Sequence, residues 1–213
     1  MQVVIVGASG FVGSALVQEA LERGHQVSAV VRDPGKLPKH ARLRAVPADV
    51  TQEGVARGLF LGHDAVLSAF SAGVAGPDAY QRQVAGSQAI LEGVKSAGVP
   101  RLLVVGGAGS LKLPSGEQLV DSAGFPELWK PNALATREVL RLLQAEPTLD
   151  WTFLSPAAHL EPGPRSAKFR LGGDSLLTDA EGHSRISVAD YALALLDELE
   201  QPRHSRQRFS VAY

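Results

Sequence analysis

Three glycines spaced three apart, Gly7, Gly10 and Gly13, lie in VVIVGASGFVGSALVQEALERG, where an apolar run gives way to an amphipathic one. That spacing suits phosphate chemistry. Gly7 permits a tight turn, Gly10 brings no side chain between the main chain and a pyrophosphate, and Gly13 allows a helix to pack closely on what lies beneath it. A helix starting near Phe11 then presents unpaired backbone amides, around Ser9, Gly10, Phe11 and Val12, and the positive end of its dipole to a diphosphate. The plain alternative is a glycine-rich turn kept for packing alone. Its placement at the first strand–helix junction of an alternating chain favours the dinucleotide.

The second apolar run ends in VVRDP. A site for NAD places a carboxylate directly after such a strand, to accept from both ribose hydroxyls. Here Val30 and Val31 take those places and Arg32 follows, a guanidinium able to hold a 2′-phosphate bidentately. NADP(H) is therefore expected in preference to NAD(H), which stays open. Asp33 complicates the reading: it turns inward to the ribose, or it pairs with Arg32 in a solvated turn. Asp49 and Val50, in PADV, fall where an adenine edge would rest. Ala69 and Phe70 end the fourth apolar run, and Gly106 follows the fifth, where a chain of this order passes the ribose and nicotinamide. Turn acid and core packing are the ordinary alternatives at these positions.

These residues need elements to position them. Short apolar runs predict strands at Gln2–Val6, Gln26–Val31, Leu43–Val46, Ala65–Phe70, Leu102–Val105 and Trp151–Leu154. Amphipathic stretches predict helices at Phe11–Arg23, Gln52–Leu61, Asp78–Ala97 and Pro131–Ala145. Strands apolar throughout, alternating with helices, imply a doubly wound parallel sheet covered on both faces, an α/β Rossmann fold. After Ser155 the chain turns Pro- and Gly-rich, with two short strand-like pieces. SVADYALALLDELEQ then forms a helix with Ser187 and Asp190 in capping-box positions, and RFSVAY a last strand. No linker divides the chain, so residues 1–213 read as one domain, with 156–186 as a small irregular lobe on the substrate side.

Composition narrows the function classes. The 213 residues carry 21 basic and 22 acidic side chains, a formal net charge of −1, and so no nucleic-acid or membrane footprint is expected. There is no cysteine, which excludes disulfides, thiolate catalysis and cysteine-held zinc. His25, His40, His63, His183 and His204 are scattered in turns without metal-like spacing, and no metal is expected. No basic, cleavable leader is apparent before Gln2 and no apolar run reaches ~18 residues, so a cytoplasmic protein is expected. Oligomeric state is not legible.

GASGFVGSALVQEALERGHQVSAVVRDPGKL resembles the start of atypical short-chain dehydrogenase/reductase-like proteins. DWTFLSPAAHL and AKFRLGGDSLLTDAEGHSRISVADYALALLDEL are similar to the NAD(P)H-binding flavin reductase branch, which includes biliverdin-IXβ reductase-type enzymes and bacterial NADH–flavin reductases. The likeness runs from Val3 to Tyr213. It implies a Rossmann domain that binds NADPH and passes hydride to a flat substrate such as a free flavin. It also implies that His159 lies in the substrate pocket and Ser110 near the nicotinamide. A loop histidine and a local hydrogen-bonding serine are the ordinary alternatives. Arg185 equally well staples the last helix to the sheet, and Trp129, Trp151 and Phe125 roof a pocket or pack a core.

The broader superfamily works on substrate oxygens with a Tyr-x-x-x-Lys pair on the helix after the fifth strand. The tyrosines here are Tyr80, Tyr191 and Tyr213, none with lysine four residues on, and Trp129 and Ala133 stand where the pair belongs. Carbonyl reduction, sugar epimerisation and dehydration thereby lack their usual acid–base group. Hydride transfer to a flavin or quinone-like ring asks chiefly for stacking geometry. Two rivals remain: a cofactor-sensing binding protein of the NmrA kind, and a relative of sugar-nucleotide epimerases and dehydratases.

Overall fold

The computed structural model describes residues 1–52, 54–73 and 76–213. Its strands are β1 (Gln2–Val6), β2 (Gln26–Val31), β3 (Leu43–Pro47), β4 (Ala65–Ser68), β5 (Arg101–Val105), β6 (Asp150–Ser155), β7 (His159–Glu161), β8 (Arg170–Gly172), β9 (Arg185–Ser187) and β10 (Gln207–Ala212). In β1, Val3 and Ile5 join one apolar cluster while Val4 and Val6 join another. Successive side chains leave opposite faces of a strand, so β1 has no face for water and must lie inside a covered sheet. The main sheet has the order β3-β2-β1-β4-β5-β6-β10-β8. All neighbours are parallel except the edge strand β8, which runs antiparallel to β10.

Helices α1 (Phe11–Glu22) and α5 (Val188–Glu200) cover one face, packing Leu16, Val17 and Ala20 beside Leu195, Leu196 and Leu199. Helices α2 (Val55–Phe60), α3 (Ala79–Ser96) and α4 (Lys130–Gln144) cover the other, with Phe60, Ile90, Val94, Leu140 and Leu143. Because β1 pairs with β2 on one side and β4 on the other, the winding direction reverses there. Such a reversal opens a crevice beyond the carboxyl ends of the two central strands. No helix among the described residues is long and apolar enough to cross a membrane.

The expected boundaries shift where backbone conformation intervenes. The helix expected at Gln52–Leu61 shortens to α2, because Gly54 at its N-cap has a left-handed φ of 76°; residue 53 lies outside the described residues. β4 stops at Ser68, two residues early, where its pairing with β1 and β5 ends and the Phe70 carbonyl accepts from Gln83 of α3 instead.

The 156–186 segment is more tightly built into the fold than its composition suggests. It supplies three short strands rather than two. β7 pairs with β9, and β8 extends the main sheet. Ser187 caps α5 by accepting from the Asp190 amide at 3.0 Å, but the reciprocal half of the capping box is absent. Asp190 is fully buried, and its carboxylate instead accepts from the Ser166 and Ala167 amides and the Tyr213 hydroxyl. Ala167 sits at a left-handed φ of 56°, a conformation that costs a non-glycine residue about 1 kcal/mol and is held by that bond. The lobe also reaches α1, where buried Glu19 accepts from Arg23 and from Arg165 of the lobe.

Burial works to raise the Asp190 pKa, but the hydrogen bonds from Ser166, Ala167 and Tyr213 outweigh it and hold the carboxyl below its ordinary value. Its contribution to stability is complete above the ordinary aspartate range, about pH 4, and is lost as pH falls through the depressed folded value. Asp190→Asn should cost about 2 kcal/mol near neutrality. It should also flatten the acid limb of denaturation midpoint against pH; parallel limbs in the two proteins would show that this carboxylate carries none of the acid sensitivity.

Candidate functional site

The crevice at the β1–β4 reversal has a volume of about 640 Å³. Its floor is the turn after β1. Gly7 has a φ of 74°, and a Cβ there would stand 2.4 Å from the Ala69 carbonyl oxygen. Gly13 lies against the same turn: its Cβ would come within 2.0 Å of the Gly7 carbonyl oxygen. The surface it packs on is therefore the turn itself rather than the sheet. Gly10 is the N-cap of α1, with no side chain bonded to the amides of the first turn. Its amide donates to Gly7 and its carbonyl accepts from Ser14, both at 2.9 Å. Amides left unpaired at a helix start attract an anion. Ser9 and Gly10 line the crevice with Gly7. Phe11 is half-exposed at the helix start, while Val12 packs against the core.

One wall comes from the ends of β2 and β3. Arg32 is exposed, lines the crevice, and forms no hydrogen bond or ion pair among the described residues. Asp33 neither turns inward nor pairs with it; its carboxylate accepts from the Gly35 amide at 3.0 Å and caps the turn Pro34–Lys36. Asp49 accepts from both the amide and the hydroxyl of Thr51. These bonds, with a smaller contribution from the Arg32 charge, hold its carboxyl below the ordinary range. Val50 is buried beneath it.

The opposite wall is the chain after β4, and here α3 supplies residues that sequence reasoning missed. Buried Gln83 accepts from the Ala72 amide at 2.8 Å and donates to the Phe70 carbonyl at 3.3 Å. The Phe70 ring fills a slot at Gly86, where a Cβ would meet it at 2.3 Å. Phe70 is thus packed on α3 while Ala69 follows the strand end. A buried glutamine on an otherwise apolar helix face was the available signal. Gln83→Met keeps the volume and removes both bonds, each worth roughly 1 kcal/mol. It should weaken nucleotide binding about three- to tenfold by calorimetry; an unchanged affinity would show that the wall holds without Gln83.

Toward β5 and β6 the turn after β5 carries Gly106, Gly107 and Gly109. A Cβ at Gly106 would collide with the Phe153 ring, one at Gly109 would stand 2.9 Å from Ala133 of α4, and Gly107 faces Thr136. Gly106 therefore makes room for the core and lies outside the crevice lining. Ser110 is buried and accepts from Arg208. His159 is exposed on β7, paired in register with Arg185. Arg185 is exposed 4.0 Å from Asp179. Trp151 is buried, Phe125 half-buried, and Trp129 half-exposed at the N-cap of α4. Tyr191 is buried with its hydroxyl on the Leu154 carbonyl, and burial pushes its pKa far up. Tyr213 is committed to Asp190.

The residues present fit a dinucleotide: a turn that a Cβ would fill, uncapped amides at a helix start, and a guanidinium with no hydrogen bond or ion pair among the described residues. The profile of an NAD(P)H-binding family matches residues 7–199. The Bacillus subtilis protein YwnB, itself uncharacterised, is 40% identical over 99% of this chain and 98% of its own. A Bacteroides thetaiotaomicron structure provisionally named an epimerase superposes with a TM-score of 0.93 at 45% identity, covering 100% of this chain and 96% of the other. A Streptococcus pneumoniae structure provisionally named an NADH-flavin reductase does so at 0.87 and 35%, covering 100% and 99%. The fold is the Rossmann α/β fold, and the chain belongs to the NAD(P)H-binding family.

Proposed function

We propose that the protein binds NADP(H) in the β1–β4 crevice and transfers hydride from NADPH to a planar acceptor, a free flavin foremost. The observation that carries the reading is what α4 offers the turn after β5: Ala133 against Gly109 and Thr136 against Gly107, on a helix with no tyrosine and no lysine beyond Lys130 at its start. Chemistry that moves a proton on or off a substrate oxygen is left without its group. The bound cofactor supplies the hydride, and a flavin can take its proton from water. The chain's own work is then to bind and orient. The turn at Gly7 and Gly10 and the amides of α1 take the diphosphate, Arg32 the 2′-phosphate, and Gln83 holds the wall at Phe70–Ala72.

The Streptococcus relative's name favours this reading. The Bacteroides relative's name points instead to epimerisation, against which the missing acid–base pair argues. Stopped-flow oxidation of NADPH with FMN, riboflavin or a quinone is the test. Turnover with any of these rings supports the reductase. A tight NADPH complex that turns over none of them would leave a cofactor-sensing role in its place.

A further inference from the structure

Beyond the crevice, four polar side chains converge at the carboxyl ends of β5 and β6, beside β10. Arg208 stands on β10 in register with Phe153 of β6, with its side chain only 6% exposed. Its Nε donates to Asp174 at 2.8 Å and one Nη donates to the same carboxylate. The other Nη donates to Ser110 Oγ at 3.3 Å and to Ser155 Oγ at 3.5 Å. Ser110 is 4% exposed and Ser155 fully buried. Asp174 is itself fixed to the loop after β5, where its carbonyl accepts from the Lys112 amide at 2.8 Å.

A serine oxygen that accepts from a guanidinium still has its own proton to donate. Among the described residues neither Ser110 nor Ser155 has an acceptor for that proton. Both hydroxyls thus have Arg208 as a partner and keep a proton to give, and Ser110, the less buried of the two, lies at the carboxyl edge of the sheet, where open α/β sheets bind their ligands. Accepting from a cation also strengthens the hydroxyl as a donor. Ser110 closes the short turn that follows Gly106 and Gly107, on the side of the sheet covered by α4, which carries no tyrosine.

We propose that Arg208 is a positioning residue for the acceptor: it holds the Ser110 hydroxyl so that the proton points toward a carbonyl or ring nitrogen of the planar substrate. The inference rests on the reductase reading above. The contact is a hydrogen bond only, with no proton transferred. It gains strength as negative charge builds on the ring with the arriving hydride. Its effect therefore falls on kcat more than on cofactor affinity.

The test uses the full chain, NADPH and FMN. Ser110→Ala and Arg208→Gln should each lower kcat about tenfold, leaving the NADPH Kd within about twofold, because a hydrogen bond of this kind is worth roughly 1–2 kcal/mol. The double variant should be no slower than either single one, since both remove one interaction. Arg208→Lys keeps a cation in the strand, should recover part of kcat, and serves if Arg208→Gln fails to fold. Wild-type turnover with unaltered kcat in the Arg208 variants, or losses that multiply in the double variant, overturns this proposal alone. A wild-type chain that binds NADPH and reduces none of FMN, riboflavin or menadione overturns the reductase reading first and this proposal with it.

Discussion

Replacing Arg32 with alanine is expected to weaken NADPH binding about tenfold or more, while NADH binding stays within about twofold, because a hydrogen bond to a charged group is worth roughly 1.5–3 kcal/mol. The lower end applies because the guanidinium is exposed and solvent screens it. Arg32 suits this role because no carboxylate among the described residues is hydrogen-bonded to it: Asp33 is committed to the Gly35 amide and Asp49 to Thr51. A guanidinium already locked to a neighbouring carboxylate would have to break that pair before it could hold a phosphate. Titration calorimetry with both nucleotides checks the selectivity. Equal weakening of NADPH and NADH would make Arg32 part of the wall rather than the reader of the 2′-phosphate. The salt dependence offers a second view, since the NADPH advantage in the wild type should shrink as ionic strength rises.

What could be read from residue order alone was whatever local periodicity and chain chemistry determine. Val3 to Val6 announce a doubly covered strand because no polar residue interrupts them. Gly7 and Gly13 announce the turn because only glycine tolerates a left-handed φ at one and a backbone oxygen 2.0 Å from its missing Cβ at the other. Asp33 was ambiguous for a physical reason. Its choice between Arg32, a ribose and the Gly35 amide depends on a three-residue turn with no periodicity of its own. The partners of Gln83, Arg208 and Asp190 were out of reach for a different reason. Each acts on residues 11 to 98 positions away in the chain, and partners that distant are set by how the layers pack. Asp190 shows the limit well. Its spacing from Ser187 implied a capping box, and Ser187 does cap the helix, but burial placed the carboxylate where four donors of Ser166, Ala167 and Tyr213 were nearer to hand. The 156–186 segment looked irregular because its order comes from such contacts and from joining the sheet edge, neither of which leaves a repeat in the sequence.

The largest effect on both fold and site is expected from Gly13→Ala. The added methyl would stand 2.0 Å from the Gly7 carbonyl oxygen, 2.7 Å from its carbon and 2.9 Å from the Ala8 Cα. All three are backbone atoms, so no rotamer change can make room. Gly7 cannot yield, since its amide is bonded to the Val30 carbonyl and its own missing Cβ leaves only 2.4 Å to Ala69. Helix α1 must move instead, and it is held by Leu16, Val17 and Ala20 in the core against α5. Overpacking of this kind costs about 3 kcal/mol or more, which for a chain of this size lowers Tm by roughly 10 °C. Nucleotide binding should fall further than stability does, because the shift separates the α1 amides from the Gly7 turn that forms the crevice floor. Gly58→Ala provides the contrast. It lies inside α2 with nothing within 4 Å of its added Cβ, and the better helix former should raise stability by roughly 0.5–1 kcal/mol without touching binding. Thermal melts and NADPH titrations of the two variants together decide the matter. If Gly13→Ala melts and binds like the wild type, α1 does not rest on the glycine turn as tightly as the geometry requires, and the crevice loses its floor as a phosphate site.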